Sequence, residues 1–174
     1  MKNTKKLVTS GVCLALALIL PMITGQIPSI GNLLLPMHLP VLVCGFVAGP
    51  FYGLLTGLIA PILRSLLFGM PPLMPTAVAM AFELAAYGFL TGLLYRKLPA
   101  KPVYAYVSLI GAMLGGRAVW GVVAFVLNSL LGNPFTLAIF MASAFTNAIP
   151  GILLQLIIIP PIVIALKKTG LIET

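Results

Sequence analysis

Charge is what this sequence has least of. Only 7% of its 174 residues are charged, aspartate is absent, and the only acids are Glu83 and Glu173. One histidine, His38, and two cysteines complete a short list of reactive side chains. An aspartyl dyad, a Ser-His-Asp triad and an H-E-x-x-H zinc site are therefore excluded as intact sets. No G-x-x-x-x-G-K-[ST] occurs, so the chain has no P-loop for ATP, and no cofactor or metal site is expected. Cys13 and Cys44 lie in apolar runs and read as small buried residues, with no basis for a disulfide. Long polar linkers and low-complexity tails are missing too, and residues 1–174 fit one domain.

What is present is apolar. Hydrophobic residues make up 61% of the chain and the mean hydropathy is +1.18. So little charge cannot cover a water-facing surface, which makes lipid the solvent for most of the chain. The net charge of +8 sits in small clusters beside apolar runs, as membrane topology uses Lys and Arg. No basic-aromatic groove accompanies it, so nucleic acid is not an expected partner. Lys2, Lys5 and Lys6 ahead of Leu7–Leu20 imitate a secretory signal. No small-x-small cleavage site follows, and further apolar runs do, so this stretch reads as an uncleaved first helix.

Apolar segments fall at Leu7–Thr24, Leu33–Ala48, Phe51–Phe68, Thr76–Tyr95, Val103–Leu131 and Leu137–Leu166, separated by Pro/Gly-rich breaks. The second, about 16 residues with Pro36 and Pro40 inside, is short of the roughly 20 that a full span needs. Charge argues that it spans nevertheless. With six helices, Lys2/Lys5/Lys6, Arg96/Lys97/Lys101 and Lys167/Lys168 all share the cytoplasmic side. A re-entrant second segment would move the last two clusters outside, against the positive-inside rule. The expected fold is an all-α membrane protein of six transmembrane helices with both ends in the cytoplasm. Gly11/Ala15, Gly45/Gly49, Gly53/Gly57, Gly88/Gly92 and Gly111/Gly115 have the spacing that lets helix backbones approach in lipid. Tyr52–Leu58 resembles Tyr87–Leu93, which predicts shared packing chemistry for two oppositely directed helices and not a transporter-type inverted repeat.

Four ionisable groups lie within the segments: His38, Arg64, Glu83 and Arg117. Buried charge in a bilayer costs a few kcal/mol or more, so each is a site candidate. The six-span register gathers the polar residues in the outer half. Arg64 is about one turn below the surface, Glu83 roughly 10 Å down, Arg117 roughly 20 Å down and Asn147 roughly 15 Å down beside Pro150. Asn32 and His38 belong to the outer end of the second segment, and Tyr87, Trp120 and Asn128 complete the candidate lining. Structural readings compete with this. Arg64 can snorkel to the interface, and Glu83 can pair with Arg64 or Arg117 simply to hold the bundle. His38, Tyr87 and Trp120 can be packing residues, and Asn128, Asn147 and Gln155 interhelical glue. Two arginines against one glutamate favour an anion or a ligand with a carboxylate.

These residues resemble the substrate-binding S component of an energy-coupling-factor (ECF) vitamin transporter over nearly the whole chain. The resemblance rests on the basic N-terminus with Gly11-x-x-x-Ala15, and on Leu35-Pro36-Met37-His38-Leu39-Pro40-Val41 leading into Gly45-Phe46-Val47-Ala48-Gly49-Pro50-Phe51-Tyr52-Gly53. It continues through Gly69-Met70-Pro71-Pro72-Leu73-Met74-Pro75 and the Glu83-bearing helix that ends in Arg96. It implies a multi-pass subunit of the bacterial plasma membrane that captures a water-soluble vitamin from outside. Such a subunit docks on a transmembrane T component carrying two cytoplasmic ATPases, delivers its substrate by toppling, and is not itself an enzyme. The resemblance also implies that the small face at Gly11 and Ala15 meets the T component, with Gly11 standing where the family has alanine. The stretch Gly25–Leu35 would be the gating loop. The Pro-Met-His-Leu-Pro stretch is most similar to the pantothenate and cobalamin-type branch. Pantothenate, a small carboxylate with hydroxyl and amide groups, suits Arg117 or Arg64 plus asparagines. Two other classes stay open: a stand-alone secondary carrier with Glu83 as its proton site, and a structural or assembly subunit of a membrane complex.

Overall fold

Prolines and glycines decide where the helices begin and end. The computed structural model describes residues 2–24, 34–99 and 101–172. Among these, α1 runs Lys2–Thr24, α2 His38–Ala48, α3 Pro50–Phe68, α4 Val78–Lys97, α5 Val103–Leu130, α6 Leu137–Met141 and α7 Ile149–Lys168. A widened turn at Leu73–Ala77 leads into α4, and another at Ala142–Thr146 follows α6. Five stretches are long and apolar enough to cross a membrane: Asn3–Thr24, Pro50–Phe68, Leu73–Lys97, Val103–Leu130 and Leu137–Lys168. With the shorter α2 they make the six segments that the sequence predicts.

Two segments differ from expectation in form. The second becomes helical only at His38, not at Leu33, so its 11 residues rise about 16 Å. Leu35 precedes Pro36, which disfavours the right-handed helical region for it, and Leu35 takes a φ of 50°. Pro40 sits in the first turn, where a missing N–H costs nothing. The last segment is interrupted, because Pro150 in the first turn of α7 cannot donate back to the Thr146 carbonyl. The Asn147 N–H closes the preceding turn by donating to the Ala142 carbonyl at 2.8 Å.

Glycines bring α2, α3 and α4 together backbone to backbone. A side-chain carbon at Gly53 would overlap the Gly88 carbonyl, and one at Gly88 would overlap the Gly53 carbonyl. One at Gly57 would run into the Leu84 carbonyl, and Gly45 is closed in by Thr91 and Gly88. The two similar stretches share glycine packing, as their sequences predict, and they pack on each other. Gly111 and Gly115 on α5 receive Leu94 and Leu90 of α4. Around this junction Val41, Leu42, Phe46, Leu84, Leu109, Ile159 and Val163 form the buried core. Outward-facing positions such as Leu7, Val12, Phe51, Leu66, Val122 and Ile157 stay apolar and exposed, as a lipid-solvated bundle requires. Gly11 and Ala15 are also exposed, and a carbon added at Gly11 would meet nothing.

One end of the bundle is basic. Lys5 and Lys6 of α1, Arg96 of α4 and the turn Gly170–Leu171 after α7 surround one small hollow. Chain segments that the charge rule places on the cytoplasmic side therefore do share one end. A cysteine introduced at Thr76 or Asn133 is expected to react with a membrane-impermeant maleimide added outside intact cells, and one at Lys101 is not. The native Cys13 and Cys44 are buried, so the reagent reads the introduced thiols. Outside labelling at Lys101 would overturn this orientation.

Candidate functional site

Helices α2, α4 and α5 send polar side chains to a common point. Glu83 on α4 faces Arg117 on α5, with carboxylate Oε1 2.9 Å from Nη1. His38, the first residue of α2, holds Nε2 3.7 Å from the other carboxylate oxygen. Tyr87, one turn further along α4, meets the His38 ring edge-on, with centroids 5.5 Å apart and planes at 61°. The arrangement answers the question left open by the sequence: the partner of Glu83 is Arg117, not Arg64. Gly116 makes it possible, because a side-chain carbon there would overlap the Tyr87 ring.

The cluster is deep. His38 and Glu83 are 2% exposed, Tyr87 0% and Arg117 6%. At such burial neither charge is tolerable alone, so the ion pair is a condition of folding for both residues. Because α2 starts so late, the positive end of its dipole lies at this level rather than at the bilayer surface, which favours the Glu83 carboxylate. The pairing is incomplete as hydrogen bonding. Glu83 Oε1 lies at ion-pair distance without an aligned N–H, and Arg117 Nε and Nη2, Tyr87 Oη and both His38 ring nitrogens are buried without a hydrogen-bond partner among the described residues. Ser108 Oγ and both amide atoms of Gln155 share that condition. An unpaired buried polar group costs about 1–3 kcal/mol, so this interior is suited to polar contacts supplied by a ligand or by water.

His38 also forms part of a cavity of about 330 Å³ at the end of the bundle opposite the basic one. Arg64 and Thr76 are its other polar walls, with Met37, Met70 and Met80 among the apolar ones. Arg64 leans toward α1, its Nη1 donating to the Leu18 carbonyl at 2.6 Å, and its guanidinium lies 5.4 Å from the Phe68 ring centroid. It is only partly buried, more open than Arg117 at 6% exposure, and it faces the cavity.

Other sequence candidates lie elsewhere. Trp120 belongs to an aromatic cluster between α5 and the last segment, 6.1 Å from Phe140 and 5.9 Å from Phe135 by ring centroids. The Asn128 amide donates to the Ala124 carbonyl of its own helix at 2.8 Å, and its backbone carbonyl accepts from the Asn133 N–H, so it finishes α5. Asn147 is exposed at the break before α7. Asn32 and residues 25–33 of the expected gate lie outside the described residues. Sequence reasoning did not single out Gly116, Ser108, Thr76 or the methionines. For Gly116 the signal was present, in a Gly115-Gly116 pair directly before a deep arginine. For the methionines there was none, since apolar residues are everywhere in this chain.

A family model described as ECF transporter, substrate-specific component, matches residues 5–163. No curated protein and no solved structure matches the chain. The match extends over nearly all of α1 to α7, including the polar cluster and the cavity beside it. The chain therefore belongs to the substrate-specific components of ECF transporters, as a membrane subunit that works with T and ATPase partners.

Proposed function

We propose that this subunit captures a small water-soluble vitamin bearing a carboxylate, pantothenate first among them, at the outer face of a bacterial plasma membrane. The observation that carries the reading is the position of Arg64. Glu83 neutralises Arg117, so the unbalanced cation beside the roughly 330 Å³ cavity is Arg64. A carboxylate meeting Arg64, with hydroxyl and amide groups turned toward His38 and Thr76, uses every polar wall. That volume is at the low end of small-molecule sites, roughly 300–1,000 Å³, which favours pantothenate over the far larger cobalamin. The carrier alternative requires Glu83 to leave Arg117 in each cycle, so the ion pair favours a binding subunit. The exposed face at Gly11 and Ala15 then serves as the seat for the T component, and the whole chain acts as one substrate-binding domain.

Equilibrium dialysis of the purified protein against a panel of water-soluble vitamins tests this reading. Pantothenate is expected to bind and cobalamin not to. Loss of one charge-assisted, forked contact is worth about 1.5–3 kcal/mol, so Arg64→Met should weaken binding about 10- to 100-fold. Arg64→Lys keeps the charge without the fork and should regain part of the loss. Unchanged affinity in Arg64→Met, or tight binding of another vitamin with none of pantothenate, sinks the assignment.

A further inference from the structure

The basic end holds a second concave site that vitamin capture does not use. Lys5, Lys6, Thr9, Arg96 and the Gly170–Leu171 turn enclose a hollow of about 70 Å³. Arg96 is held there by backbone and not by a carboxylate. Its Nη2 donates to the Ala48 carbonyl at 3.3 Å, and its guanidinium occupies the space that a side chain at Gly49 would need. No salt bridge involves Lys5, Lys6 or Arg96 among the described residues. The carboxylate those residues contain, Glu83, is 13 positions from Arg96 along α4, about 20 Å away. Glu173 lies outside the described residues, and one carboxylate would still leave two of the three cations unbalanced. Like charges converging on one hollow repel each other unless an anion sits between them.

Size and surroundings narrow the anion. At roughly 30 Å³ of liquid per water, the hollow takes a tetrahedral oxyanion and excludes a vitamin or a peptide segment. On the stripe of α1 that carries Lys5 and Thr9, Val12 and Leu16 follow at helical spacing and are exposed, an apolar flank that continues into the bilayer. A free phosphate would use only the cations. A phosphate esterified to acyl chains would use both halves. We propose that this hollow binds the headgroup phosphate of an anionic phospholipid, with its chains laid along α1.

Native mass spectrometry of the protein released from nanodiscs of mixed phosphatidylcholine and phosphatidylglycerol reads the occupant directly. The wild type is expected to retain phosphatidylglycerol selectively. In the Lys5→Gln, Lys6→Gln double variant that preference should fall about fivefold for each lysine removed, with vitamin binding unchanged. Inorganic phosphate titrated into delipidated protein forms the second arm. If it raises the melting temperature as much as phosphatidylglycerol does and neither lipid is preferred, the site takes a free anion and the lipid assignment is wrong. Full selectivity in the double variant overturns it as well. So does a wild type without lipid preference whose double variant loses only its association with the T and ATPase subunits, since the cations would then serve a protein partner. None of these readouts involves the vitamin site, so the two proposals fail separately.

Discussion

Arg117→Met is expected to destabilise the detergent-solubilised protein by about 3–5 kcal/mol, the cost of leaving a buried ionised partner alone. The reason is the geometry at Glu83: its Oε1 is 2.9 Å from Arg117 Nη1, and both side chains are almost fully buried. Met fills similar volume, so the loss reports charge and not a cavity. Glu83→Gln in the same chain removes the orphaned carboxylate and should restore most of the stability, giving a large positive coupling in the double-mutant cycle. Thermal melting of the two single variants and the double variant measures all three terms. Vitamin affinity, read on the same samples, separates the roles. A double variant that melts normally and binds normally makes the pair a structural device. Wild-type melting in Arg117→Met alone would refute the paired arrangement.

The glycine junction should be nearly as costly to disturb. Gly88→Ala puts a methyl group into the Gly53 carbonyl, and backbone cannot swing aside as a side chain can. Overpacking of a fixed site costs typically 1–3 kcal/mol and occasionally more, so a loss of about 3 kcal/mol is expected, with little folded protein recovered from the membrane. Gly11→Leu is the informative contrast. Nothing lies within 4 Å of a carbon built there, so its stability should stay within about 0.5 kcal/mol of wild type. If that face seats the T component, uptake by the assembled transporter nevertheless falls while vitamin binding by the isolated subunit persists. Equal tolerance of Ala at position 88 and Leu at position 11 would mean that the close approach of α3 and α4 is not what holds them.

How much of this was legible in the sequence depends on which physical signal carried it. Six apolar segments and the glycine pairs are local patterns, and among the described residues the segments recur, with the second starting late and the last interrupted. The late start of α2 at His38 was hinted at by Pro36 and Pro40, but hydropathy alone runs the segment back to Leu33. Likewise, Pro150 marked the weak point of the last segment without giving the extent of the break. The ion pair was half visible. Burial demanded a partner for Glu83, yet depth along the helices could not choose between Arg64 and Arg117. That choice is rotational, made by which face of α5 meets α4, and Gly116 under Tyr87 fixes it. Trp120 and Asn147 were selected for depth and face other surroundings for the same reason. Depth placed His38 and Arg64 of the cavity in the outer half, but its methionine walls carried no signal of their own, because they are set by shape.

The contact of backbones at Gly45, Gly53 and Gly88 has a mechanical consequence. Where helices meet through side chains, rotamer changes lubricate sliding, and shear between packed helices is the usual small motion. Here backbone meets backbone at Gly53 and Gly88, and only the short Thr91 side chain stands beside Gly45, so α2, α3 and α4 form a stiff block with His38 and Glu83 fixed on it. Opening of the mouth must then be borne by the remainder. Pro21 interrupts the ladder of α1 next to the cavity, and the last segment is jointed between Met141 and Ile149. The bundle is thus an anvil with two yielding sides, and the half of the site that grips need not be the half that moves.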